Sequence, residues 1–222
     1  MISIRPHKLF NLVKTETYSD RVVKLVLPDQ YTPMTFDLMI KLALARLLKP
    51  RTFFEIGTFL GVHTFDMAMN IPDCHFYTLD LDEASYQSAQ IVEVARHMTE
   101  IQLQQRERVA FLGTAYESRV SCLYGDSNTF DFSPYYGKMD MVFVDGGKEE
   151  STFHSDAENA LRMKSTDHPA AVVWDDYGNR LSPRVKPYLD ARPEELFFVE
   201  ESITVFHLAN APELSAALRS IA

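Results

Sequence analysis

Apolar runs that are typical of buried strands alternate with helical patterns through most of the chain. The strand-like runs are TFFEIG, HFYTLDLD, RVSCLYGDS, KMDMVFVDGG and AAVVWDD, all between residues 52 and 176. The helical patterns between them are VHTFDMAMN, EASYQSAQIVEVARHMTEIQLQ and ESTFHSDAENALRMK. This alternation predicts an α/β fold with a mostly parallel sheet that helices cover on both faces.

The two ends of the chain depart from this alternation. Near the C-terminus, LFFVEESITVFHLAN holds two apolar runs split by EES, which predicts a hairpin and an antiparallel last strand in a mixed sheet. Before the first core strand, TPMTFDLMIKLALARLLKP predicts a helix with Thr32 as its N-cap, Pro33 at its first position and Pro50 beyond its end. Further upstream, the run Arg21–Pro28 predicts a strand or extended segment of an N-terminal appendage.

The length of the chain, 222 residues, suits one α/β domain. The sequence shows no internal repeat and no low-complexity segment, and its Gly and Pro residues are scattered. We therefore expect a single domain over residues 1–222. Residues 1–50 would form the N-terminal appendage and lead-in helix, and residues 51–210 would form the core sheet.

Composition and charge exclude several classes of partner. Hydrophobic residues make up 46% of the chain and charged residues 24%, as in ordinary globular proteins. The net charge of −9 and the lack of a Lys/Arg run disfavour nucleic acid as a partner. No apolar stretch approaches the roughly 18 to 20 residues of a membrane span, and the N-terminus lacks the apolar segment of a secretory signal. Cys74 and Cys122 share no metal-type spacing, so we expect a reduced, cytoplasmic protein.

Carboxylates and glycines follow five of the strand-like runs. In an open parallel sheet, ligands bind beyond the carboxyl ends of the strands. Buried carboxylates destabilise a fold unless they are paired or liganded, so their concentration at this edge predicts a binding site. The residues concerned are Glu55–Gly61, Asp80, Gly125–Asp126, Asp145–Lys148 and Asp175–Asp176.

The first of these segments, within FFEIGTFLGVHT, has the spacing E-x-G-x-x-x-G. It differs from the dinucleotide fingerprint G-x-G-x-x-G, in which backbone approaches a pyrophosphate. Glu55 would repel a pyrophosphate but would suit a cationic ligand such as S-adenosylmethionine, and Asp80 is placed to accept hydrogen bonds from ribose hydroxyls. These features disfavour an NAD-dependent oxidoreductase.

Five motifs in order, EIGTFLG, TLDLD, LYGDS, MDMVFVDGGK and VVWDDYG, carry a resemblance from about residue 53 to residue 177. The chain resembles a class I S-adenosylmethionine-dependent methyltransferase. It is most similar to the metal-dependent small-molecule O-methyltransferases of the catechol type and of the bacterial natural-product and sugar types. The resemblance implies a Rossmann-like, doubly wound, mostly parallel seven-stranded sheet with an antiparallel last strand.

The resemblance also implies cofactor contacts for individual residues. Glu55, Gly57 and Gly61 would belong to the loop at the methionine end of S-adenosylmethionine, and Asp80 would bind the ribose. Asp126 and Ser127 would contact the adenine, and Asp145 would face the cofactor as well. His63 departs from the small hydroxyl residue common in such loops, so it is assigned no contact. The structural alternative for Glu55 is a cap on the loop amides.

Metal and base chemistry are implied at the other strand ends. Asp145, Asp175 and Asp176 offer the hard oxygen ligands that Mg²⁺ prefers, and Lys148 matches the lysine base of the catechol-type enzymes. Together Lys148 and Asp145 are the candidate catalytic residues, because a hydroxyl nucleophile needs polarisation and deprotonation. The plainer alternatives are a turn role for Asp176 and a solvated lysine at position 148.

The expected reaction is therefore methyl transfer from S-adenosylmethionine to a hydroxyl of a small molecule, assisted by Mg²⁺. The alternatives are a metal-independent methyltransferase with another acceptor atom and a non-catalytic relative that binds the cofactor. A homodimer is expected, with no nucleic acid and no membrane partner. The insertion at residues 106–120 is a candidate for shaping the substrate pocket or a subunit contact.

Overall fold

A computed structural model describes residues 1–16, 33–87, 89, 91, 93–147 and 149–222. The predicted extended segment Arg21–Pro28, the predicted N-cap Thr32 and the candidate base Lys148 lie outside the described residues. The helices are α1 (Pro6–Glu16), α2 (Pro33–Leu48), α3 (Val62–Asn70), α4 (Glu83–Tyr86), α5 (Glu93–Gln104), α6 (Glu150–Met163), α7 (Val185–Asp190) and α8 (Pro212–Ile221). The strands are β1 (Ile2–Ile4), β2 (Thr52–Ile56), β3 (His75–Asp80), β4 (Val120–Tyr124), β5 (Met141–Val144), β6 (Ala170–Trp174), β7 (Leu196–Val199) and β8 (Val205–Ala209).

The described strands form one sheet in the order β1-β7-β8-β6-β5-β2-β3-β4. The predicted Rossmann-like architecture is confirmed: the pairs from β6 through β4 are parallel, and β8 runs antiparallel to both β6 and β7. The sheet has eight strands rather than the predicted seven. The additional strand is β1, which pairs in parallel with β7, Ile2 opposite Phe197 and Ile4 opposite Val199, and so covers an otherwise open edge.

The strand order reverses direction between β2 and β5. From β2 the chain proceeds outward to β3 and β4, and it then returns to β5 and β6 on the other side of β2. The loops that leave β2 and β5 therefore separate at the carboxyl edge and leave a crevice between them. This is the topological switch point at which open α/β sheets bind their ligands.

Helices cover both faces of the sheet, so the central strands are buried on both sides. Phe53 belongs to the core on the face of α1, α2, α3 and α8, whereas Phe54, the next residue, belongs to the core on the face of α6 and α7. Such double burial explains the continuous apolar runs of the strands, since neither side of a strand needs polar residues. The predicted lead-in helix is confirmed as α2, whose residues 40–45 are all buried.

Two other predictions are refined by the structure. The long helix expected from residue 83 to residue 104 is found as α4 and α5. The first of them starts at Asp82, whose Oδ1 accepts a hydrogen bond from the Ser85 amide at 2.6 Å. Both cysteines are free thiols, Cys74 buried and Cys122 half-buried. Within the described residues, every helix is too short or too polar to cross a membrane.

Candidate functional site

A cleft of about 400 Å³ opens at the carboxyl edge of the sheet, between the loops that follow β2, β3, β4, β5 and β6. Most of the predicted site residues line it: Gly57, Asp80, Asp126, Ser127, Asp145 and Asp176. Glu55, Gly61 and Asp175 are not among its lining residues. The sheet edge therefore brings together six residues that the sequence places at the ends of five separate strands.

Gly57 begins the loop after β2 and has a backbone conformation that other residues rarely adopt. Its φ angle is +104°, and a Cβ atom at this position would lie 2.3 Å from the carbonyl oxygen of Asp145. The Gly57 amide donates to the Leu79 carbonyl, and the Asp145 amide donates to the Ile56 carbonyl, both at 2.9 Å. Glycine is required here because the ends of β2, β3 and β5 approach one another too closely for a side chain.

Glu55 lies beneath the cleft rather than in its wall. The side chain is 1% exposed, and its carboxylate accepts hydrogen bonds from His63 Nδ1 at 2.6 Å, from Thr78 Oγ1 at 3.0 Å and from Thr64 Oγ1. Burial, with a further contribution from Lys41, lowers the pKa of His63. The neutral imidazole thus donates from Nδ1 to Glu55, a contact that the sequence did not predict. The contacts support a structural role for Glu55, and its predicted contact with the cofactor stays a prediction.

Asp80 joins the end of β3 to the glycine loop. Its Oδ2 accepts a hydrogen bond from the Phe59 amide at 2.6 Å, and its Oδ1 accepts one from the Leu81 amide at 2.9 Å. Burial raises the pKa of Asp80 to about 7, and the two amides oppose this rise. Phe59 has a φ angle of +50°, which is strained for an aromatic residue, so the contact with Asp80 helps to hold the loop in its shape.

Asp126 and Ser127 follow β4 on the same side of the cleft. The Gly125 amide donates to the Asp80 carbonyl at 2.9 Å, and Asp126 Oδ1 accepts from the Asn128 amide at 2.9 Å. The side-chain amide of Asn128 in turn donates to Thr152 Oγ1 on α6, also at 2.9 Å. This chain of contacts fixes the loop after β4 to its neighbours on both sides.

Asp175 and Asp176, at the end of β6, differ from Asp80 and Asp126 in the groups that surround their carboxylates. Asp176, with a φ angle of +65°, accepts from Asn179 Nδ2 at 2.6 Å and from Ser182 Oγ at 2.8 Å. Asp175 keeps Oδ1 buried with no hydrogen-bond partner in the described part of the chain. Burial raises the pKa of Asp175 to about 7; Lys41 opposes the rise, and Asp145 and Asp176 add to it.

These carboxylates do not fit a magnesium ion as they are arranged. Among the described residues, no three His, Cys, Asp or Glu side chains are placed to hold a metal ion together. Both carboxylate oxygens of Asp176 already accept hydrogen bonds from neighbouring side chains. The trio Asp145, Asp175 and Asp176 is thus close enough for mutual electrostatic effects but lacks the convergence that metal coordination requires.

The insertion at residues 106–120 holds α3 at both ends. At its N-terminal end, the Ala110 amide donates to the Leu60 carbonyl at 2.9 Å, and a Cβ atom on Gly61 would lie 2.7 Å from the ring of Phe111. At the other end, the Arg119 guanidinium donates to the carbonyls of Ala68, Ile71 and Cys74. The insertion therefore packs against the glycine loop. A side chain at position 61 would collide with Phe111, so Gly61 permits this packing.

Sequence reasoning missed Lys41, which is 4% exposed on α2 and whose Nζ lies 3.8 Å from the centroid of the Phe143 ring in β5. A signal was present, since Lys41 lies within LMIKLALARLL, a stretch with little room for a solvent-facing side. The candidate base Lys148 lies outside the described residues, so its role stays a prediction.

The comparisons with known proteins agree with this geometry. A family model described as a methyltransferase domain matches residues 54–177, more than half of the chain. One solved structure with the same fold is a Staphylococcus aureus protein assigned as a caffeoyl-CoA O-methyltransferase, with a TM-score of 0.51 and 17% identity over 91% of this chain and 97% of that chain. A Klebsiella pneumoniae protein assigned as an O-methyltransferase gives a TM-score of 0.48 and 18% identity, over 89% and 93%. No curated protein matches the sequence. The likeness to the Staphylococcus aureus structure supports the fold described above.

Proposed function

Because the chain belongs to the methyltransferase domain family, we propose that it transfers a methyl group from S-adenosylmethionine to a hydroxyl oxygen of a small molecule. The resemblance to class I S-adenosylmethionine-dependent methyltransferases is confirmed by the family match and the fold. The identity of the acceptor atom and the class of acceptor belong to the proposal.

The main support for the proposal is the negative charge of the residues that line the cleft. Its described lining holds five carboxylates and no Lys or Arg: Asp80, Asp126, Asp145, Glu149 and Asp176. S-adenosylmethionine carries a sulfonium and an ammonium group, which such a wall attracts, whereas a pyrophosphate would meet repulsion. The sequence predicts that Glu55 favours a cationic cofactor over a pyrophosphate. In the structure, the five carboxylates of the cleft lining support the same preference.

Different residues of the chain would bind the cofactor, accept the proton and position the reacting groups during methyl transfer. The cofactor supplies an electrophilic methyl group when it is bound. The acceptor hydroxyl forms the new O–C bond as the S–C bond breaks, and its proton passes to a base, for which Lys148 stays the predicted candidate. Asp80 and the loop after Gly57 would hold the cofactor, and the rigid ends of β2, β3 and β5 would fix the distance between the two reacting groups.

The magnesium assistance that the sequence predicts is not part of this proposal, because the described carboxylates do not form a suitable donor set. A second candidate from the sequence, a non-catalytic relative that binds the cofactor, would have the same open cleft, so the measurement of methyl transfer distinguishes the two. A cytoplasmic location and a homodimer stay predictions.

A screen for methyl transfer tests the proposal. Labelled S-adenosylmethionine would be incubated with phenols, sugars and hydroxylated natural products, each with and without EDTA. We expect label on an oxygen of at least one acceptor. Transfer to nitrogen, carbon or sulfur alone would contradict the O-methyl assignment, and binding of S-adenosylhomocysteine with no transfer to any acceptor would favour the non-catalytic relative.

A further inference from the structure

Gln102 is a polar residue of the cleft to which the proposed reaction assigns no role. It lies on α5, is 5% exposed and lines the cleft. A carboxamide buried to this extent destabilises a fold unless both its donor and its acceptor find partners, in the protein or in a ligand. The contacts that Gln102 already makes therefore indicate what a ligand would have to offer.

The donor of this carboxamide is already used. Gln102 Nε2 donates to the backbone carbonyl of Leu81 at 3.2 Å, and the Arg106 guanidinium donates to the same carbonyl. Because a carbonyl oxygen only accepts hydrogen bonds, the amide nitrogen must face Leu81, which fixes the orientation of the carboxamide. Oε1 is then the acceptor that remains, and it makes no hydrogen bond within the described part of the chain.

The apolar residues near Gln102 suit a flat ring. Met98 lies one turn before Gln102 on the same face of α5 and also lines the cleft, although 48% of its surface is exposed. Leu81, Ala89 and Ile91 add apolar side chains to the cleft wall. A thioether and aliphatic groups pack well against the face of an aromatic ring. The carboxamide of Gln102 is the group that can hydrogen-bond the edge of such a ring.

Asp80 relates this part of the wall to the rest of the cofactor. It lines the cleft directly before Leu81 in the chain, and it is the residue expected to bind the ribose. Consecutive Cα atoms are only about 3.8 Å apart, and the base of a nucleoside is bonded directly to its ribose. The base would therefore lie beside Leu81 and Gln102.

We propose that Gln102 determines which nucleobase the cleft accepts, because its Oε1 accepts a hydrogen bond from the 6-amino group of adenine. The inference rests on the proposed use of S-adenosylmethionine. A 6-oxopurine carries an acceptor oxygen where adenine carries the amino donor. That oxygen would face Oε1 with no proton between them, and both acceptors would lose their contacts with water. Gln102 therefore selects against 6-oxopurine nucleosides.

Asp126, which the sequence predicts at the adenine, is the rival for this role. Its Oδ1 accepts from the backbone amide and from the side-chain amide of Asn128, at 2.9 and 3.1 Å. These two contacts commit that oxygen to the loop after β4. Substitutions at both positions separate the contributions of Gln102 and Asp126.

Calorimetric dissociation constants for S-adenosylhomocysteine and for its 6-oxo analogue, S-inosylhomocysteine, test the inference. We expect the wild-type protein to prefer S-adenosylhomocysteine by about tenfold or more. Gln102→Met keeps the length of the side chain but removes the carboxamide, so it should weaken binding of S-adenosylhomocysteine by about 3- to 10-fold. It should bind S-inosylhomocysteine as well as the wild-type protein does, or better. Gln104→Met, at an exposed position on the same helix, is the matched control and should keep the wild-type values.

The outcomes that contradict the inference differ from those that contradict the proposed function. Equal affinities of the wild-type protein for the two compounds would overturn the inference, whether or not Gln102→Met folds. A preference that persists in Gln102→Met but disappears in Asp126→Ala would assign the amino group to Asp126 and would overturn it as well. If the preference depends on Gln102 but no acceptor is methylated, the inference holds and the proposed function fails. If the wild-type protein binds neither compound, both fail.

Discussion

The two halves of the cleft hold their carboxylates by different means. In the β2–β4 half (residues 57–61, 80–82 and 125–128), Asp80 and Asp126 accept hydrogen bonds from backbone amides of the loops beside them. In the β5–β6 half (residues 145–147 and 175–182), Asp176 accepts from side chains, and Oδ1 of Asp175 is buried with no hydrogen-bond partner in the described part of the chain.

We interpret the β2–β4 half as a binding surface, whereas the carboxylates of the β5–β6 half make their contacts within the protein. Backbone amides fix Asp80, which lines the cleft, so we expect it to be the residue that ribose hydroxyls contact. In the β5–β6 half, Asp176 is instead held by two side chains, and Asp175 lies outside the lining. We therefore expect substitutions in the first half to affect cofactor affinity, and those in the second to affect the reaction.

The largest effect is expected from breaking the β2–β4 half at Gly57. Gly57→Ala places a methyl group against the Asp145 carbonyl at a φ of +104°, which should lower the free energy of unfolding by about 2–5 kcal/mol. Urea denaturation measures this change. Gly113→Ala is the control, since Gly113 has a similar positive φ of +71° but no atom within 4 Å of the added Cβ; it should lose about 1 kcal/mol. Equal losses of stability at the two positions would mean that the closeness of Gly57 to the Asp145 carbonyl does not matter for stability.

Comparing Asp80 with Asp175 sharpens the contrast between the halves. Asp80→Asn removes a charged acceptor from the cleft wall, so the affinity for S-adenosylhomocysteine should fall by about 1.5–3 kcal/mol, or about 10- to 150-fold. Asp175→Asn, which alters a residue outside the lining, should change it by less than about threefold. Calorimetric dissociation constants for both variants would show this, and a larger loss for Asp175→Asn would reverse the assignment of the halves.

A smaller effect is expected from the contacts beneath the cleft. Thr64→Val removes one of the three side-chain donors to Glu55 without changing the size of the residue. The free energy of unfolding should fall by about 1.5–2 kcal/mol, the value of a hydrogen bond to a charged group. Cofactor affinity should be nearly unchanged if Glu55 is structural. A strong loss of affinity with normal stability would instead support the predicted contact between Glu55 and the cofactor.

A further effect, measured as a slope rather than as one difference between two proteins, concerns pH. Since burial raises the pKa of Asp80 to about 7, the folded protein binds a proton more tightly than the unfolded chain, whose carboxyl titrates near 3.9. Stability from this group is therefore present at low pH and is lost as the pH rises from about 4 to about 7. The slope from Asp80 is at most about 1.4 kcal/mol per pH unit. Asp80→Asn should flatten the stability profile of the cofactor-free protein in this range, and an unchanged slope would contradict the shifted pKa.

The contrast also explains what the sequence could predict. The β2–β4 half consists of loops a few residues long that follow apolar strands, so motifs such as EIGTFLG and TLDLD were sufficient to place Gly57 and Asp80 at the carboxyl edge of the sheet. The alternation of strands and helices predicted the sheet, and the two apolar runs split by EES predicted its antiparallel β8. Three-residue β1 has too few positions to show a pattern.

The β5–β6 half depends on side-chain directions that the sequence pattern does not show. Lys41 is buried on α2 over the Phe143 ring of β5, whereas a lysine in an amphipathic helix usually faces solvent. Whether three aspartates converge on a metal depends on side-chain directions, and the hydrogen bonds of Asp176 to Asn179 and Ser182 could not be inferred from DDYG. For Glu55, the position of the residue was predicted, but burial under the cleft by His63, Thr64 and Thr78 was not.

Calorimetric titration of the wild-type protein with S-adenosylhomocysteine, and separately with NAD⁺, both in EDTA, tests the central claim most directly. The claim is that the acidic cleft at the ends of β2, β3 and β4 binds the methyl-donor cofactor without help from a metal. We predict one binding site per chain with a micromolar dissociation constant for S-adenosylhomocysteine, and no heat of binding for NAD⁺. No binding of S-adenosylhomocysteine in EDTA, or saturable binding of NAD⁺ in its place, would contradict the account.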